Sequence, residues 1–209
     1  NCTVSRNLAE ATGGGLAFST ARTCRVFGNL ARGGGGTYFG MLENCTIADN
    51  SAELSGGGSY YGVIANCIVY YNSAPSDPNW RSSSCSFSCT TPLPGGAGNT
   101  TNEPGLSSLS DLHIIPDSPC INAGQNSDWM TNAVDVDGEA RIADGTVDIG
   151  CDEFHAGGAT GTLTLSIGTL ASRVVRDFDL SFEAGIQGIA TGSEWVWGDG
   201  QTSSNACVV

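Results

Sequence analysis

The residues best suited to chemistry crowd into one short stretch. Asp135, Asp137, Glu139, Asp144 and Asp148 fall within 14 residues, with Gly138 and Gly145 among them. Asp-x-Asp-Gly is a fragment of many calcium loops, in which alternate carboxylates reach one ion from a tight turn. Asp135, Asp137, Asp144 and Asp148 are therefore candidate calcium ligands, and calcium is the one cofactor the sequence suggests. The rest of an EF-hand loop is absent, and Asp-Gly pairs at hairpin tips account for Asp137-Gly138 and Asp144-Gly145 without metal. His113 and His155 flank the stretch, and isolated histidines of this kind are mostly surface or capping residues. Upstream the acids are sparse: Glu10, Glu43, Asp49 and Glu53. No residue is nominated as catalytic.

What must position these side chains is a repeat. Asn1-Cys2-Thr3-Val4 returns as Cys24-Arg25-Val26, Asn44-Cys45-Thr46-Ile47 and Asn66-Cys67-Ile68-Val69, with the cysteines 22, 21 and 22 residues apart. Asn7, Asn29, Asn50 and Asn72 each follow a cysteine by five residues, and glycine clusters at 13–15, 33–36 and 56–58 lie between the phrases. A period of 21 or 22 residues is too short for paired helices, and the apolar spacing is not helical. Short period-2 alternation broken by Gly, Asn and Ser reads as several brief strands per turn. The expected fold is an all-β coil whose turns stack about 4.8 Å apart, so that equivalent side chains form ladders.

Cys2, Cys24, Cys45 and Cys67 form one interior ladder in this reading, and Val4, Val26, Ile47 and Val69 another. The asparagines form a third, at bends, where carboxamides cap turn N–H groups and tolerate a left-handed backbone. Phe18, Phe39 and Tyr61 are equivalent positions, as are Ala17, Tyr38 and Tyr60, and one column should face in and the other out. With the first inside, Tyr38 and Tyr60 make an outer aromatic strip that could lie against sugar rings, or simply stiffen the sheet. Glu43 meets only Arg22 or Ala65 on adjacent coils, and Asp49 meets Gly28 or Tyr71, so no acid pair recurs on one face.

Nine cysteines in an acidic, Gly-, Ser- and Thr-rich chain suggest an extracellular or cell-surface setting. Stacked cysteines on parallel strands point the same way and do not by that alone satisfy disulfide torsions, so the ladder reads as buried thiols. Cys85, Cys89, Cys120, Cys151 and Cys207 remain, an odd set, in which a Cys89–Cys120 bridge closing the irregular segment is favoured. The net charge of −13, with all eight basic residues arginine, argues against nucleic acid. No run approaches the ~18 apolar residues of a membrane span. Residue 1 falls inside a repeat phrase, which suggests earlier coils upstream.

After Asn72 the repeat decays. All seven prolines lie between 73 and 119, and proline removes ladder donors, so the segment is expected to be a cap of loops over the last open rung. The repeat phrases are similar to those of right-handed parallel β-helix proteins of the pectin-lyase-like superfamily. Cys89-Thr90-Thr91-Pro92-Leu93-Pro94, Ser118-Pro119-Cys120-Ile121-Asn122-Ala123-Gly124, and Asp135-Val136-Asp137-Gly138 through Arg141 to Asp148-Ile149-Gly150-Cys151-Asp152-Glu153-Phe154 resemble the C-terminal cap of large bacterial surface or secreted members. Cys151 stands where that cap usually has alanine. The resemblance implies coils over 1–72 and a cap over 73–155. In such folds β-elimination needs an arginine or lysine with carboxylate-held calcium, and hydrolysis needs paired carboxylates; the adjacent aspartates with glycine and histidine of polygalacturonases are absent.

Residues 156–161 read as a linker. Beyond it Leu163, Leu165 and Ile167 alternate with polar residues, as do Phe178, Leu180 and Phe182, and Trp195-Val196-Trp197-Gly198-Asp199-Gly200 resembles the signature of PKD-type immunoglobulin-like modules. Residues 162–209 are thus expected to be an incomplete β-sandwich that buries its apolar face poorly. The resulting expectation is a non-catalytic secreted or surface scaffold that is adhesive or contacts polysaccharide or cell-surface glycan. The alternative is the C-terminal part of a polysaccharide lyase or glycoside hydrolase whose catalytic coils lie upstream.

Overall fold

The computed structural model describes residues 1–155 and, farther on, the backbone of four strands. The chain divides into two units, Asn1–Ala156 and Gly157–Val209. Unit one opens as a parallel β-helix of about four turns, the first three with four short strands each and the fourth with three. The first turn comprises β1 (Cys2–Ser5), β2 (Leu8–Thr12), β3 (Leu16–Ala17) and β4 (Thr20–Arg22), and the second β5 (Cys24–Phe27), β6 (Leu30–Gly33), β7 (Thr37–Tyr38) and β8 (Met41–Glu43). The third holds β9 (Thr46–Ala48), β10 (Ser51–Ser55), β11 (Ser59–Tyr60) and β12 (Val63–Ala65). The fourth holds β13 (Ile68–Tyr70), β14 (Trp80–Arg81) and β15 (Ser84–Ser86), and β16 (Cys89–Thr90) returns to the first face. The coil therefore runs past Asn72, with Pro75 and Pro78 confined to the bend before β14.

Each turn closes through four corners, and each corner holds one residue with positive φ: Arg6, Gly13, Phe18 and Thr23 in the first turn; Gly28, Gly34, Phe39 and Asn44 in the second. Asp49, Gly56, Tyr61 and Asn66, then Tyr71, Asp77, Ser82 and Phe87, repeat the set. A left-handed residue other than glycine costs about 1–2 kcal/mol, so the stacking must outweigh a strain renewed at every turn. The ladder asparagines are not these residues. The left-handed position is the one before each, and the asparagine turns its carboxamide inward.

There the carboxamides form a continuous chain. Asn29 Oδ1 accepts from the Asn7 backbone N–H and Nδ2 at 3.0 and 2.9 Å. Asn50 Oδ1 does the same for Asn29, and Asn72 Oδ1 for Asn50. Asn79 extends the chain by a short cut, its Oδ1 accepting from Asn72 N and Nδ2. The Nδ2 of Asn29, Asn50 and Asn72 also donates to carbonyls of its own and the preceding turn, as Asn50 does to Ala48 and Val26. The glycine clusters follow from this packing. A Cβ on Gly36 would lie 3.0 Å from Asn50 Nδ2 and 2.8 Å from Ile47 Cγ2, and one on Gly58 would lie 2.7 Å from both Asn72 Nδ2 and Val69 Cγ1.

Cys24, Cys45 and Cys67 are buried beside Val26, Ile47 and Val69, with Ala21, Leu42, Ile64 and Cys85 opposite them. Cys2 is exposed. The ladder ends in Ser88, whose Oγ accepts from Cys67 N.

Residues 97–100 lie on the last rung, where Thr90 N–H donates to Thr100 O and Thr100 N–H to Ser88 O. The rest of the cap does not sit on that rung. It folds back along the outer side of the first sheet (β1, β5, β9, β13, β16), packing Ile114, Cys120 and Ile149 against Ile68 and Cys89. Gly150 N–H donates to Asn66 O, and Cys151 N–H to Thr46 Oγ1. Asn1 Nδ2 reaches Asp135 O, so the cap spans the coil to its first residue. The middle of the first sheet, β9 and β13, is thus buried on both faces, which explains why Thr46 and Ile68 are buried on its outer side as Ile47 and Val69 are on its inner side.

In the second unit β17 (Thr164–Thr169) pairs antiparallel with β18 (Phe182–Gln187), and β19 (Ser193–Val196) with β20 (Thr202–Asn205). The 156–161 linker and the Trp197-Gly198-Asp199-Gly200 phrase lie outside the described residues.

Removing one carboxamide from the middle of the ladder orphans donors on both neighbours. We expect Asn50→Ala, and separately Gly36→Ala, to lower unfolding free energy by about 2–4 kcal/mol. Urea denaturation with an unchanged m-value measures it, and a loss below ~0.5 kcal/mol would contradict the ladder's role.

Candidate functional site

Two places on the first unit combine polar chemistry with built geometry. The first is the acidic cluster of the cap. Asp135 and Asp148 are buried, and their oxygens already accept backbone N–H groups: Asp135 from Asp137, Glu139 and Glu153, Asp148 from Asn122 and Phe154. Asp152 accepts from Ile114 N–H, and Glu153 from Ala143 and Asp148 N–H. The buried Arg141 donates to the carbonyls of Asp148, Gly150 and Cys151. These groups do for an irregular segment what a ladder does for a strand.

His113 is the residue that sequence reasoning passed over. It is 1% exposed, with Nδ1 2.6 Å from Asp111 Oδ1 and Nε2 2.6 Å from Asp137 Oδ2, and Asp152 Oδ1 lies 4.0 Å away. Both ring nitrogens face carboxylates, an arrangement that favours the doubly protonated, cationic ring. The only hint in the sequence was position: His113 precedes the apolar Ile114, which packs on the coil.

Of the four proposed calcium ligands the structure brings Asp135 and Asp137 together, with Glu139, and His113, Asp137 and Asp152 form a second converging group. Asp144 is exposed, and neither it nor Asp148 belongs to these groups. Gly138 and Gly145 have positive φ with open space around them, as turn tips do. Asp135 and Asp148 are already engaged by N–H donors, so a framework of hydrogen bonds supports the cap whether or not an ion is bound. A chelator is expected to leave the melting temperature unmoved; a fall would restore the calcium reading.

The second place is a groove of about 480 Å³ on the outside of the coil, lined by Glu10, Arg32, Leu54, Ser55, Tyr60 and Arg81 among others. It runs across the second face (β2, β6, β10) to the third (β3, β7, β11, β14). Arg81 pairs with Asp77 and lies 5.5 Å over the Tyr60 ring. Beside the groove both aromatic columns face outward, contrary to the expectation that one points in. The column Leu16, Thr37 and Ser59 faces the interior instead, because Phe18, Phe39 and Tyr61 occupy left-handed corners.

Phe18 stacks on Phe39 at 5.5 Å and Phe39 on Tyr61 at 5.0 Å, and Tyr61 stacks on Tyr60 at 4.3 Å. Tyr38 and Tyr60 meet edge-on at 87°, so they form no flat strip. The inner rings cover each other's faces, while Phe18 at the end of the column is 75% exposed.

Cys89 and Cys120 are brought together in the apolar cluster under the cap, both as thiols. Comparison of the chain with protein-family models, curated proteins and solved structures finds no match.

The cap's electrostatics set a pH dependence. Burial pulls the His113 ring down, but the charges of Asp152, Asp137 and Asp111 outweigh it and hold the ring above its ordinary value. Burial pushes Asp152 up to about 6 and Glu153 up to about 7. It also raises Asp148 and Glu139. Every one of these groups binds its proton more tightly folded than unfolded, so each adds stability below its unfolded pKa and loses it as pH rises through the folded value. Stability should therefore decline between pH 5 and pH 8, the carboxylates acting first and His113 last. His113→Gln should cost about 3–5 kcal/mol near pH 6 by stranding buried carboxylates, and should flatten the upper part of the decline. A melting temperature that rises from pH 5 to 8 would contradict this account.

Proposed function

We propose that this chain is a non-catalytic scaffold of a secreted or cell-surface protein and holds an extended glycan along the outside of its coil. The observation that carries the reading is the groove. It sets the guanidiniums of Arg32 and Arg81 and the polar groups of Glu10, Thr12 and Ser55 around the apolar Leu54 and Tyr60. Planar charged side chains beside an apolar floor suit a ligand dense in hydroxyls with apolar ring faces. Short strands stacked in register give that groove a rigid floor, so little ordering entropy is lost on binding.

The same reading extends to origin and neighbours. The cysteine–valine phrases, the cap motif and the parallel coil support membership of the pectin-lyase-like superfamily and a bacterial source. Two antiparallel strand pairs around the Trp195 phrase support a PKD-type module in the second unit. The sparse acids of the coil support the absence of turnover. Glu43 is engaged by Arg22 at 2.5 Å, and the buried carboxylates of the cap are engaged by backbone N–H groups.

Affinity electrophoresis of the purified chain against neutral and acidic polysaccharides tests the proposal. At least one polysaccharide should retard it, and Arg32→Ala with Tyr60→Ala should weaken that retardation about tenfold, roughly 1.4 kcal/mol. Retardation unaffected by both substitutions would exclude the groove, and release of reducing ends or unsaturated products would overturn the non-catalytic reading.

A further inference from the structure

The junction between the last coil and the cap contains two cysteines from segments far apart in sequence. Cys89 lies in β16, on the outward side of the first sheet, and Cys120 follows the Ser118-Pro119 turn. Both are fully buried in one apolar cluster with Ile68, Ile114 and Ile149, where the Cys89 S–H donates to Asn102 O at 3.0 Å. The backbone holds each in place: Cys89 N–H donates to Cys67 O, Cys120 N–H to Ser118 Oγ, and Ile149 N–H to Cys120 O. The meeting of the two thiols therefore follows from the docking of the cap and needs no covalent bond to bring it about.

Cysteines also neighbour one another inside the coil, but there they stack along one parallel column rather than joining two distant segments. Cys24, Cys45 and Cys67 occupy neighbouring rungs of one column, and each turns its S–H to the carbonyl two residues earlier, at 3.1, 3.2 and 3.1 Å. Cys85 is inside the coil beside Ile64. Cys151 lies against Thr46.

We propose that Cys89 and Cys120 are a disulfide modification site that ties the cap covalently to the last coil in an oxidising setting. The oxidant is a low-molecular-weight disulfide. One cysteine thiolate attacks it, forming a mixed disulfide and releasing one small thiol. The second thiolate then attacks the protein sulfur of that mixed disulfide and releases the other. Two protein thiols are oxidised, one small disulfide is reduced to two thiols, and no other reactant is needed. Because both sulfurs are buried once the cap is seated, the exchange belongs to the docking step, and the closed bond is shielded from reductant afterwards. The inference stands on the cap junction alone and is independent of the glycan reading.

The test is a peptide map. The chain is unfolded, refolded in oxidised and reduced glutathione, alkylated, and cut before aspartate without reduction. A linked pair of peptides, 77–110 with 117–127, is expected. It should persist in Cys85→Ser, vanish in Cys89→Ser, and accompany a melting temperature several degrees above that of the reduced protein. Complete alkylation of Cys89 and Cys120 after oxidative refolding, or linkage of Cys120 to Cys85 or Cys151, would overturn the proposal. The wild-type map decides the matter even where a variant fails to fold.

Discussion

Everything in the first unit depends on in-register stacking of the asparagine carboxamides. A coil of four short strands must turn four corners, and each corner places a residue in a left-handed conformation that most side chains resist. Isolated, one such turn would not close. Stacked, each turn gives its neighbour backbone hydrogen bonds along four sheets, and the carboxamide chain from Asn7 to Asn79 satisfies N–H groups at the bend where the sheets part. The strain is local and the compensation cooperative, as expected of a quasi-one-dimensional repeat. The glycines at 15, 36 and 58 are a consequence of this chain of amides, because the space a Cβ would need is already filled.

The cap obeys the same requirement by other means. From residue 91 to 155 there is almost no regular secondary structure, yet much of the segment is buried against the first sheet. Buried N–H groups need acceptors, and here carboxylates supply them. Asp135, Asp148, Asp152 and Glu153 between them accept from the backbone at both ends of the acidic stretch, and Arg141 answers the carbonyls. Burial, and then the closeness of several anions, disfavours their ionisation, and the positive charges of Arg141 and protonated His113 oppose it. An acidic cluster that resembles a metal loop in sequence is thus explained as the hydrogen-bond framework of a segment without ladders.

The coil was legible because its determinants are local and periodic. Cys, Val and Asn recur at fixed offsets, so the interior columns could be read from Cys24, Val26 and Asn29 alone. What periodicity could not show was which side of a corner a residue faces. Phe18, Phe39 and Tyr61 have interior-looking side chains but sit at left-handed bends, which swing them outward. Nor could it place the cap, since the partners of Ile114 and Ile149 lie on strands scores of residues earlier and no short-range signal links them. The burial of His113, which reads from sequence as a surface or capping residue, is hidden for the same reason: its neighbours Asp111, Asp137 and Asp152 converge only after the cap folds back. The Asn72-to-Asn79 short cut hid the fourth turn, because the ladder is continued there by a residue from the glycine column.

The outward aromatics show how stability and recognition divide one surface. A column of rings that stack on each other, ending on Tyr60 with Arg81 above it, covers the ring faces between its two ends and leaves Phe18 open at the far one. Such a column stiffens three successive turns at the corner where the backbone is most strained. Recognition is then left to the adjacent groove, where the backbone bulges between β6 and its neighbours open a concavity that side chains of the second face line. Tyr60 belongs to both, packed into the column on one side and forming the groove wall on the other. Any ligand held there would be read against a wall fixed by the stack, and a loosened corner would be felt in binding as well as in folding.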